Sequence, residues 1–355
     1  MAALEKADAQ AGTPPRAGVD PQETFDAVDF TRSRNECSDL NLTLCNFHGD
    51  KDLPRVKAFL LGREQWQSLP DYWTAGKSTV GTFQTIFDSP AIHHKFWRDE
   101  EGKYHAYLWL HPEPSETIEG NGNCWRMFMH PRVRTKELAN TVIASAEEQL
   151  SRLVDQSSAD KSIETVAYGE DTWLALLLKE HGYTKQEALD VYMRCSLDEE
   201  IDEPELVDGY TIRPLDAQND IVQRSGVQSD AFAGESEPGE WSIANTERFL
   251  VWYEGRDDLD LVAVTAEGEI GSFAVFLVDP GTLVGELDPV GTRAAHQRKG
   301  LAKAVLLSGL HYLKSKGMKR VAVRTGVANA PAIRTYESVG FEVVDHLYRY
   351  RKVAG

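Results

Sequence analysis

Apolar and polar positions in the second half of the chain alternate in a way that predicts strands and helices in succession. Period-two or β-branched apolar runs predict strands at 270–278, 285–290, 319–325 and 341–350. Between the second and third of these, Leu306, Leu310 and Leu313 recur at helical spacing, which predicts a helix over 301–316. Asn329 is a suitable N-cap for a short helix before the last strand. The pattern therefore predicts an α/β arrangement.

The first half of the chain shows the same order of predicted elements. Strands are predicted at 104–110, 123–129, 163–167 and 187–197, and helices at 135–153 and 171–183. The helix endings HGY (181–183) and VGF (339–341) correspond at an offset of 158 residues. A repeat of that size is a whole domain and not a solenoid unit. The sequence thus predicts two copies of one α/β fold.

The length and charge pattern predict where the two domains are divided. A chain of 355 residues exceeds one typical core, and seven of the eleven residues of 198–208 are acidic. Like charges repel one another, so this stretch is predicted to be an exposed linker. We therefore place the domains at 37–197 and 209–355. Residues 1–36 are rich in Ala, Gly, Pro and Asp and are predicted to be a disordered tail.

Composition narrows the class of protein. The chain is 41% hydrophobic and 26% charged, which is ordinary for a soluble globular protein, and it has no run of eighteen apolar residues. The net charge of −18 argues against bulk nucleic-acid binding and is compatible with a cationic small substrate. We expect a cytoplasmic protein without a metal site or disulfides, because the four cysteines are scattered: Cys37, Cys45, Cys124 and Cys195.

A basic cluster stands where the helix of 301–316 begins, although the chain as a whole is acidic. A helix N-terminus offers unpaired N–H groups and the positive end of the helix dipole, which suit a phosphate. Gly300 would let the backbone approach an anion closely, and Arg298, Lys299 and Lys303 would add charged contacts. From these residues alone, anion binding and a solvated basic turn are equally open.

A second group of residues recurs at helical spacing further along the chain. Asn329, Ala332, Tyr336 and Gly340 follow one another at intervals of three, four and four, so they share one side of a helix. Tyr336 can therefore reach into a groove beside the basic loop. Taken alone, a tyrosine at such a position is more often a half-buried packing residue.

Together, these two stretches resemble the GCN5-related N-acetyltransferase superfamily. Gln297-x-x-Gly300-x-Ala302 is similar to its pyrophosphate signature, and Asn329, Tyr336 and Gly340 are similar to its second motif. The resemblance covers 209–355, whereas the first half shares the order of elements only. It implies two tandem domains, each a mixed, mostly antiparallel twisted sheet flanked by helices, with the fourth and fifth strands splayed apart.

The resemblance also implies acetyl-CoA as the cosubstrate. The pantetheine arm would pair with the backbone of the fourth strand and touch Asn329, and the backbone amide near Val290 would polarise the thioester carbonyl. The implied cofactor-binding residues are Leu287, Val290, Thr292, Gln297, Arg298, Lys299, Gly300, Leu301, Ala302, Lys303 and Asn329.

The implied reaction is direct attack of an amine on the acetyl thioester, with both substrates held in one cleft. Tyr336 would protonate the departing thiolate. Glu286 is the first candidate for the base, Asp288 lies on the same strand face by alternation, and both are also compatible with a surface role. His296 lies at the phosphate end, which indicates a positioning role.

The acceptor would be an amine of a small molecule or peptide. In the family, the segment after the first strand lines the acceptor site, and here that region is acidic with one aromatic residue. These candidates can hold a cationic amine, or they can form a mobile acidic loop: Glu235, Glu237, Glu240 and Trp241.

The first domain departs from the family pattern, since 130–150 contains no glycine at the phosphate loop. At the 158-residue offset, Asn329 corresponds to Asp171 and Tyr336 to Leu178. We therefore expect this copy to be catalytically degenerate. Its basic residues can bind an anion or simply surround a solvated helix start: Arg132, Arg134 and Lys136.

Two alternatives to an enzyme remain open at this point. A non-catalytic acyl-CoA-binding sensor would keep Gly300 and Asn329 but would not need Tyr336. RNA binding through 293–303 is disfavoured by the acidic total and by the absence of interleaved aromatic residues. The sequence leaves the oligomeric state and the acceptor open.

Overall fold

The fold was analysed in a computed structural model of the chain. The residues that the structure describes are 41–47, 51–52, 55–56, 59, 94–111, 123–130, 133–153, 162–205, 207–233, 242–244, 246–247, 259–279 and 283–353.

The first half contains six described strands and two described helices. The strands are β1 (Thr43–Asn46), β2 (His94–Arg98), β3 (Tyr104–His111), β4 (Cys124–Met129), β5 (Ser162–Tyr168) and β6 (Thr184–Ser196). The helices are α1 (Lys136–Leu153) and α2 (Thr172–Glu180). The elements predicted from apolar periodicity all form here, within a few residues of their predicted ends.

The second half repeats this order. Its strands are β7 (Tyr210–Pro214), β8 (Asp260–Thr265), β9 (Ile270–Asp279), β10 (Val284–Thr292), β11 (Arg320–Gly326) and β12 (Glu342–Val353). Its helices are α3 (Ile221–Ala231), α4 (Leu301–Ser315) and α5 (Ala330–Glu337). Strands β1, β2, β7 and β8 and helix α3 are additional to the predicted elements.

All twelve strands join in one sheet, in the order β1-β2-β3-β4-β5-β12-β6-β11-β10-β9-β8-β7. Only the neighbours β4/β5 and β10/β11 run parallel, and every other neighbouring pair is antiparallel. The predicted α/β class, with a mixed and mostly antiparallel sheet in each half, is confirmed.

The two halves exchange their last strands. Strand β6 pairs with β11 of the second half through seven residue pairs, and β12 lies between β5 and β6 of the first half. Each half therefore completes its sheet with a strand from the other. The division into 37–197 and 209–355 stays a proposal about the sequence, because β6 and β12 each lie across it.

Helix α4 covers the centre of the second half. Its apolar stripe is buried as the spacing predicted, with Leu306 and Leu310 at 0% and Leu313 at 1% exposure. This stripe packs with buried residues of the neighbouring strands, such as Phe276 and Val321. Among the residues that the structure describes, no helix is long and apolar enough to cross a membrane.

The acidic connection lies along the outside of α4. The Nζ of Lys314 donates to the backbone carbonyl of Glu199 at 2.5 Å, and the Nε2 of His311 lies 3.0 Å from that of Asp202. Basic side chains of the helix thus hold the backbone of the connection, while its carboxylates remain exposed. This arrangement offsets the mutual repulsion that the acidic composition indicates.

Candidate active site

Strands β10 and β11 separate after a short stretch of pairing. They pair only from Val284 to Glu286, where Glu286 lies opposite Ala322. Beyond this point β10 continues along β9 as far as Thr292, while β11 continues along β6 as far as Gly326. The two strands therefore enclose a wedge-shaped cleft whose narrow end is at Glu286.

The loop that follows β10 has a conformation suited to an anion. Arg298 has φ +61° and Gly300 has φ +84°, both in the left-handed region. Such turns direct successive backbone N–H groups towards one point. Gly300 is the N-cap of α4 and no side chain caps this helix, so its first-turn N–H groups are available to an anion. We call residues 297–302 the phosphate loop.

The other predicted loop residues have different environments. The side chain of Gln297 donates to the carbonyl of Thr292 at 3.2 Å and so ties the loop to the end of β10. Arg298, Lys299 and Lys303 are exposed and Ala302 is partly exposed. Leu287 and Leu301 have side chains in the core and Val290 packs against it, so only their backbone groups could serve a ligand.

Helix α5 positions the two residues of the second motif. Asn329 is its N-cap, and its Oδ1 accepts from the backbone N–H of Ala332 at 3.2 Å, which leaves the side-chain NH₂ for other partners. Tyr336 is 8% exposed, and its ring lies 5.8 Å from that of Phe341. The helix starts directly after β11, so both residues lie beside the cleft.

The environment of Tyr336 keeps its hydroxyl protonated. Burial raises the pKa of Tyr336 above the ordinary value for tyrosine, and the negative charge of Asp288 raises it further. Asp288 stands on β10, which bounds the other side of the cleft. The phenol is therefore a proton donor at neutral pH.

The two candidate bases lie close together on β10, Glu286 before the register shift of this strand and Asp288 at it. Glu286 is 7% exposed and lies where β10 and β11 part, and Asp288 follows two residues later. Their neighbour Leu287 points to the opposite face, into the core against α4. The carboxylate of Glu286 is thus buried at the narrow end of the cleft.

The exchanged strand adds charge to the same face, which sequence analysis missed. Arg324 of β11 forms an ion pair of 3.1 Å with Asp190 of β6. The register places Tyr192 opposite Arg324, and Tyr192 packs with Ala322 on the face away from α4. The wall of the cleft therefore includes residues from the first half of the chain.

The acidic segment that we predict to bind the acceptor lies outside the described residues: Glu235, Glu237, Glu240 and Trp241.

The equivalent cleft of the first half is bridged by a salt bridge. Strands β4 and β5 pair only at Cys124 and Glu164 before they part. Arg134, which follows β4, donates to both carboxylate oxygens of Asp171, which follows β5, at 2.5 Å each. The guanidinium also lies 4.2 Å from the centre of the Trp173 ring. Arg134 is therefore engaged within the protein.

The other residues that correspond to the site are paired or buried where the structure describes them. Lys136 pairs with the exposed carboxylate of Glu180 at 2.7 Å, and Arg132 lies outside the described residues. Leu178 is fully buried in the core of the first half. The position that corresponds to Tyr336 thus carries no group able to donate a proton.

Comparison with known proteins agrees with this geometry. Residues 229–341 match the family model described as Acetyltransferase (GNAT) family. A mycothiol acetyltransferase of Thermomonospora curvata is 27% identical over 254 residues, which are 70% of this chain and 80% of the relative. One of Nocardioides sp. is 28% identical over 233 residues, which are 62% of this chain and 76% of the relative.

A solved structure shows the same fold over nearly its whole length. A tandem GNAT protein from the clavulanic acid biosynthesis pathway, solved without AcCoA, has a TM-score of 0.61 and 15% identity. The match covers 88% of this chain and 99% of that one. The split sheet, the loop and these matches define an acyltransferase. Residues 229–341 are thus similar to the GNAT family, and the chain as a whole shares the fold of a tandem GNAT protein.

Proposed function

We propose that the chain transfers an acetyl group from acetyl-CoA to an amine of a small molecule. The observation that carries this proposal is the cleft that opens beyond Glu286, with the phosphate loop after one of its strands and Tyr336 on the helix after the other. A thioester with a long arm and a pyrophosphate fits this arrangement. The relatives named mycothiol acetyltransferases support a small-molecule amine as the acceptor.

Acetyl-CoA would lie between β10 and β11. The N–H groups of the phosphate loop and the first turn of α4 would bind the pyrophosphate, with Arg298 and Lys303 adding charge. The pantetheine arm would pair with the backbone of β10 between Leu287 and Thr292. Support for this comes from the register shift that β10 makes there, because a shift frees backbone groups from the ladder.

The reaction would be one displacement at the thioester carbonyl. The amine nitrogen attacks the carbonyl carbon, a C–N bond forms, and the C–S bond breaks. Glu286 would accept the proton that the amine loses, since its carboxylate lies at the narrow end of the cleft. Tyr336 would donate a proton to the departing thiolate sulfur, and the raised pKa of its phenol keeps that proton in place at neutral pH.

The acceptor would approach from the face of the sheet opposite α4. Glu286 of β10 lies on that face, since its neighbour Leu287 is in the core with α4, and so does the ion pair between Arg324 and Asp190. We propose that the acidic residues of 235–240 and Trp241 also contribute to recognising the amine. A cationic acceptor would be attracted by this predominance of carboxylates.

A panel of small-molecule and peptide amines, assayed for free CoA release from acetyl-CoA, tests the proposed function. We expect turnover with a small-molecule amine, and none after Tyr336→Phe and Glu286→Gln are combined. CoA binding without turnover on a broad panel would instead favour the non-catalytic acyl-CoA sensor. An absence of CoA binding would contradict both functions.

A further inference from the structure

Four side chains from three parts of the chain form one hydrogen-bonded row beside the phosphate loop. The Nζ of Lys299 donates to the hydroxyl of Tyr210 at 3.1 Å, and that hydroxyl lies 2.7 Å from Nδ1 of His296. The Nε2 of His296 lies 3.3 Å from the carboxylate of Glu269. Tyr210 begins β7 and Glu269 immediately precedes β9. We call Tyr210, His296 and Glu269 the loop brace.

The hydrogen bonds of the row run in one consistent direction. In the neutral tautomer that carries its proton on Nε2, His296 donates to the carboxylate of Glu269 and its Nδ1 accepts the O–H of Tyr210. The oxygen of Tyr210 then keeps its lone pairs for the ammonium of Lys299. The hydrogen bond from His296 and that from Arg293 lower the pKa of the Glu269 carboxyl, so the accepting end of the row stays charged.

The brace is built into the fold and is not a chance surface contact. His296 is 7% exposed, and a Cβ at Gly271 would lie 2.9 Å from its ring, so the glycine makes space for it. Arg293 anchors the start of the same segment, because it pairs with Glu269 at 2.9 Å and with Asp230 at 3.0 Å.

The phosphate loop has a conformation that needs such support. Arg298 adopts φ +61°, which is uncommon for a residue with a side chain, and Gly300 adopts φ +84°. Unfavourable backbone conformations persist where surrounding contacts hold them in place. The brace contacts the loop segment on both sides of Arg298, through His296 and Lys299.

We infer that Tyr210, His296 and Glu269 are positioning residues that hold the phosphate loop ready for a pyrophosphate before the ligand arrives. This inference rests on the proposed function. The brace acts through Lys299 and the backbone of the loop and does not itself contact the ligand. Once the hydroxyl of Tyr210 is removed, the ligand has to order Lys299 and the loop on binding, which weakens affinity.

The test is calorimetric titration of the full chain with CoA and with pantetheine, which lacks the pyrophosphate. We expect Tyr210→Phe and His296→Gln each to raise the Kd for CoA about three- to tenfold. The Kd for pantetheine and the Tm of the unliganded protein should stay at the wild-type values. Tyr348→Phe is the matched control. Tyr348 is a half-buried tyrosine on β12, and the loss of its hydroxyl should leave the Kd for CoA unchanged.

Each outcome of this experiment decides the inference. An unchanged CoA Kd in folded Tyr210→Phe overturns it, and so does an equal loss of CoA and pantetheine binding with a lowered Tm. If Tyr210→Phe does not fold, His296→Gln and Glu269→Gln decide by the same comparison. Wild-type protein that does not bind CoA overturns the proposed function as well. Binding that is lost in Gly300→Glu but normal in Tyr210→Phe overturns the brace alone.

Discussion

Leu178 on α2 and Tyr336 on α5 occupy equivalent places in the two halves of the chain. The carbonyl of Leu178 accepts from the N–H of Tyr183 at 2.9 Å, and that of Tyr336 accepts from the N–H of Phe341 at 3.1 Å. In each case a glycine in the left-handed region immediately precedes the residue that donates this N–H, Gly182 with φ +84° and Gly340 with φ +93°. The backbone is thus the same in both copies, and the phenol is present in only one.

Tyr336→Phe should lower kcat for the acceptor that the amine panel identifies. The change removes one hydroxyl and keeps the ring packed against Phe341. General acid catalysis contributes about 10²–10⁴-fold, and we expect the lower end, because a thiolate is already a good leaving group. The Kd for acetyl-CoA should change little. Steady-state and single-turnover kinetics measure both quantities, and an unchanged rate of the chemical step would exclude Tyr336 as the acid.

The pH profile of kcat should remain flat where an ordinary tyrosine would ionise. Tyr336 acts as an acid only while protonated, so activity is present below its pKa and is lost as the pH rises through it. Burial and Asp288 raise that pKa above the usual value of about 10. If kcat of the wild-type protein instead falls at a pH of about 10 or lower, and Tyr336→Phe shows no such fall, the raised pKa of Tyr336 is contradicted.

Glu286→Gln and Asp288→Asn distinguish the two candidate bases. Glu286 is buried at the narrow end of the cleft, whereas Asp288 is partly exposed beside Tyr336. We expect Glu286→Gln to lower kcat by about 10²-fold or more. Asp288→Asn should have a much smaller effect on kcat. The reverse order of effects, measured with the same acceptor, would make Asp288 the base.

Gly300→Glu should abolish the stabilisation of the protein by CoA. A side chain at Gly300 would occupy the approach of the pyrophosphate, and its carboxylate would repel the phosphates. Gly317→Glu is a matched control at the other end of α4, because Gly317 also has φ +84° and a Cβ added there would meet no atom within 4 Å. Both substitutions should cost about 1 kcal/mol of unfolding free energy. Only Gly300→Glu should remove the CoA-dependent rise in Tm, as thermal denaturation measures it.

The chain should bind one acetyl-CoA. The salt bridge between Arg134 and Asp171 spans the entrance to the first cleft, and Leu178 replaces the phenol. A second ligand would have to break this partly buried pair, which leaves a carboxylate without its partner. Calorimetric titration should therefore give a stoichiometry of one. A stoichiometry of two in the wild-type protein, together with a stoichiometry of one in Gly300→Glu, would show that the first cleft also binds acetyl-CoA.

Much of the second half was predictable because its signals are local. The apolar stripe of α4, the cap at Asn329 and the glycine at the start of α4 each depend on residues close in sequence. The steric and hydrogen-bonding preferences that set helix ends involve residues a few positions apart, so they can be predicted from a single sequence. The wedge between β10 and β11 was reached through resemblance to the GNAT superfamily, not through periodicity.

The features that sequence analysis missed depend on distant contacts. Alternation shows which face of β6 is buried, but it does not say that β11 is its neighbour. Sequence analysis indicated a positioning role for His296, but its partner Tyr210 lies 86 positions away and was not identified. The ion pair between Asp190 and Arg324 was likewise not predictable from the sequence, because it forms only when β6 pairs with β11.

The strand exchange makes the second half depend on the first half, which we expect to be catalytically degenerate. Strand β6 is the neighbour of β11, and without it one wall of the catalytic cleft would become an exposed sheet edge. Likewise, the sheet of the first half depends on β12 of the second half, which pairs with β5. The sheet of the second half therefore depends on the first half, whether or not the first cleft binds a ligand. Substitutions that line the first cleft should be compatible with the fold, whereas deletion of the first half should not.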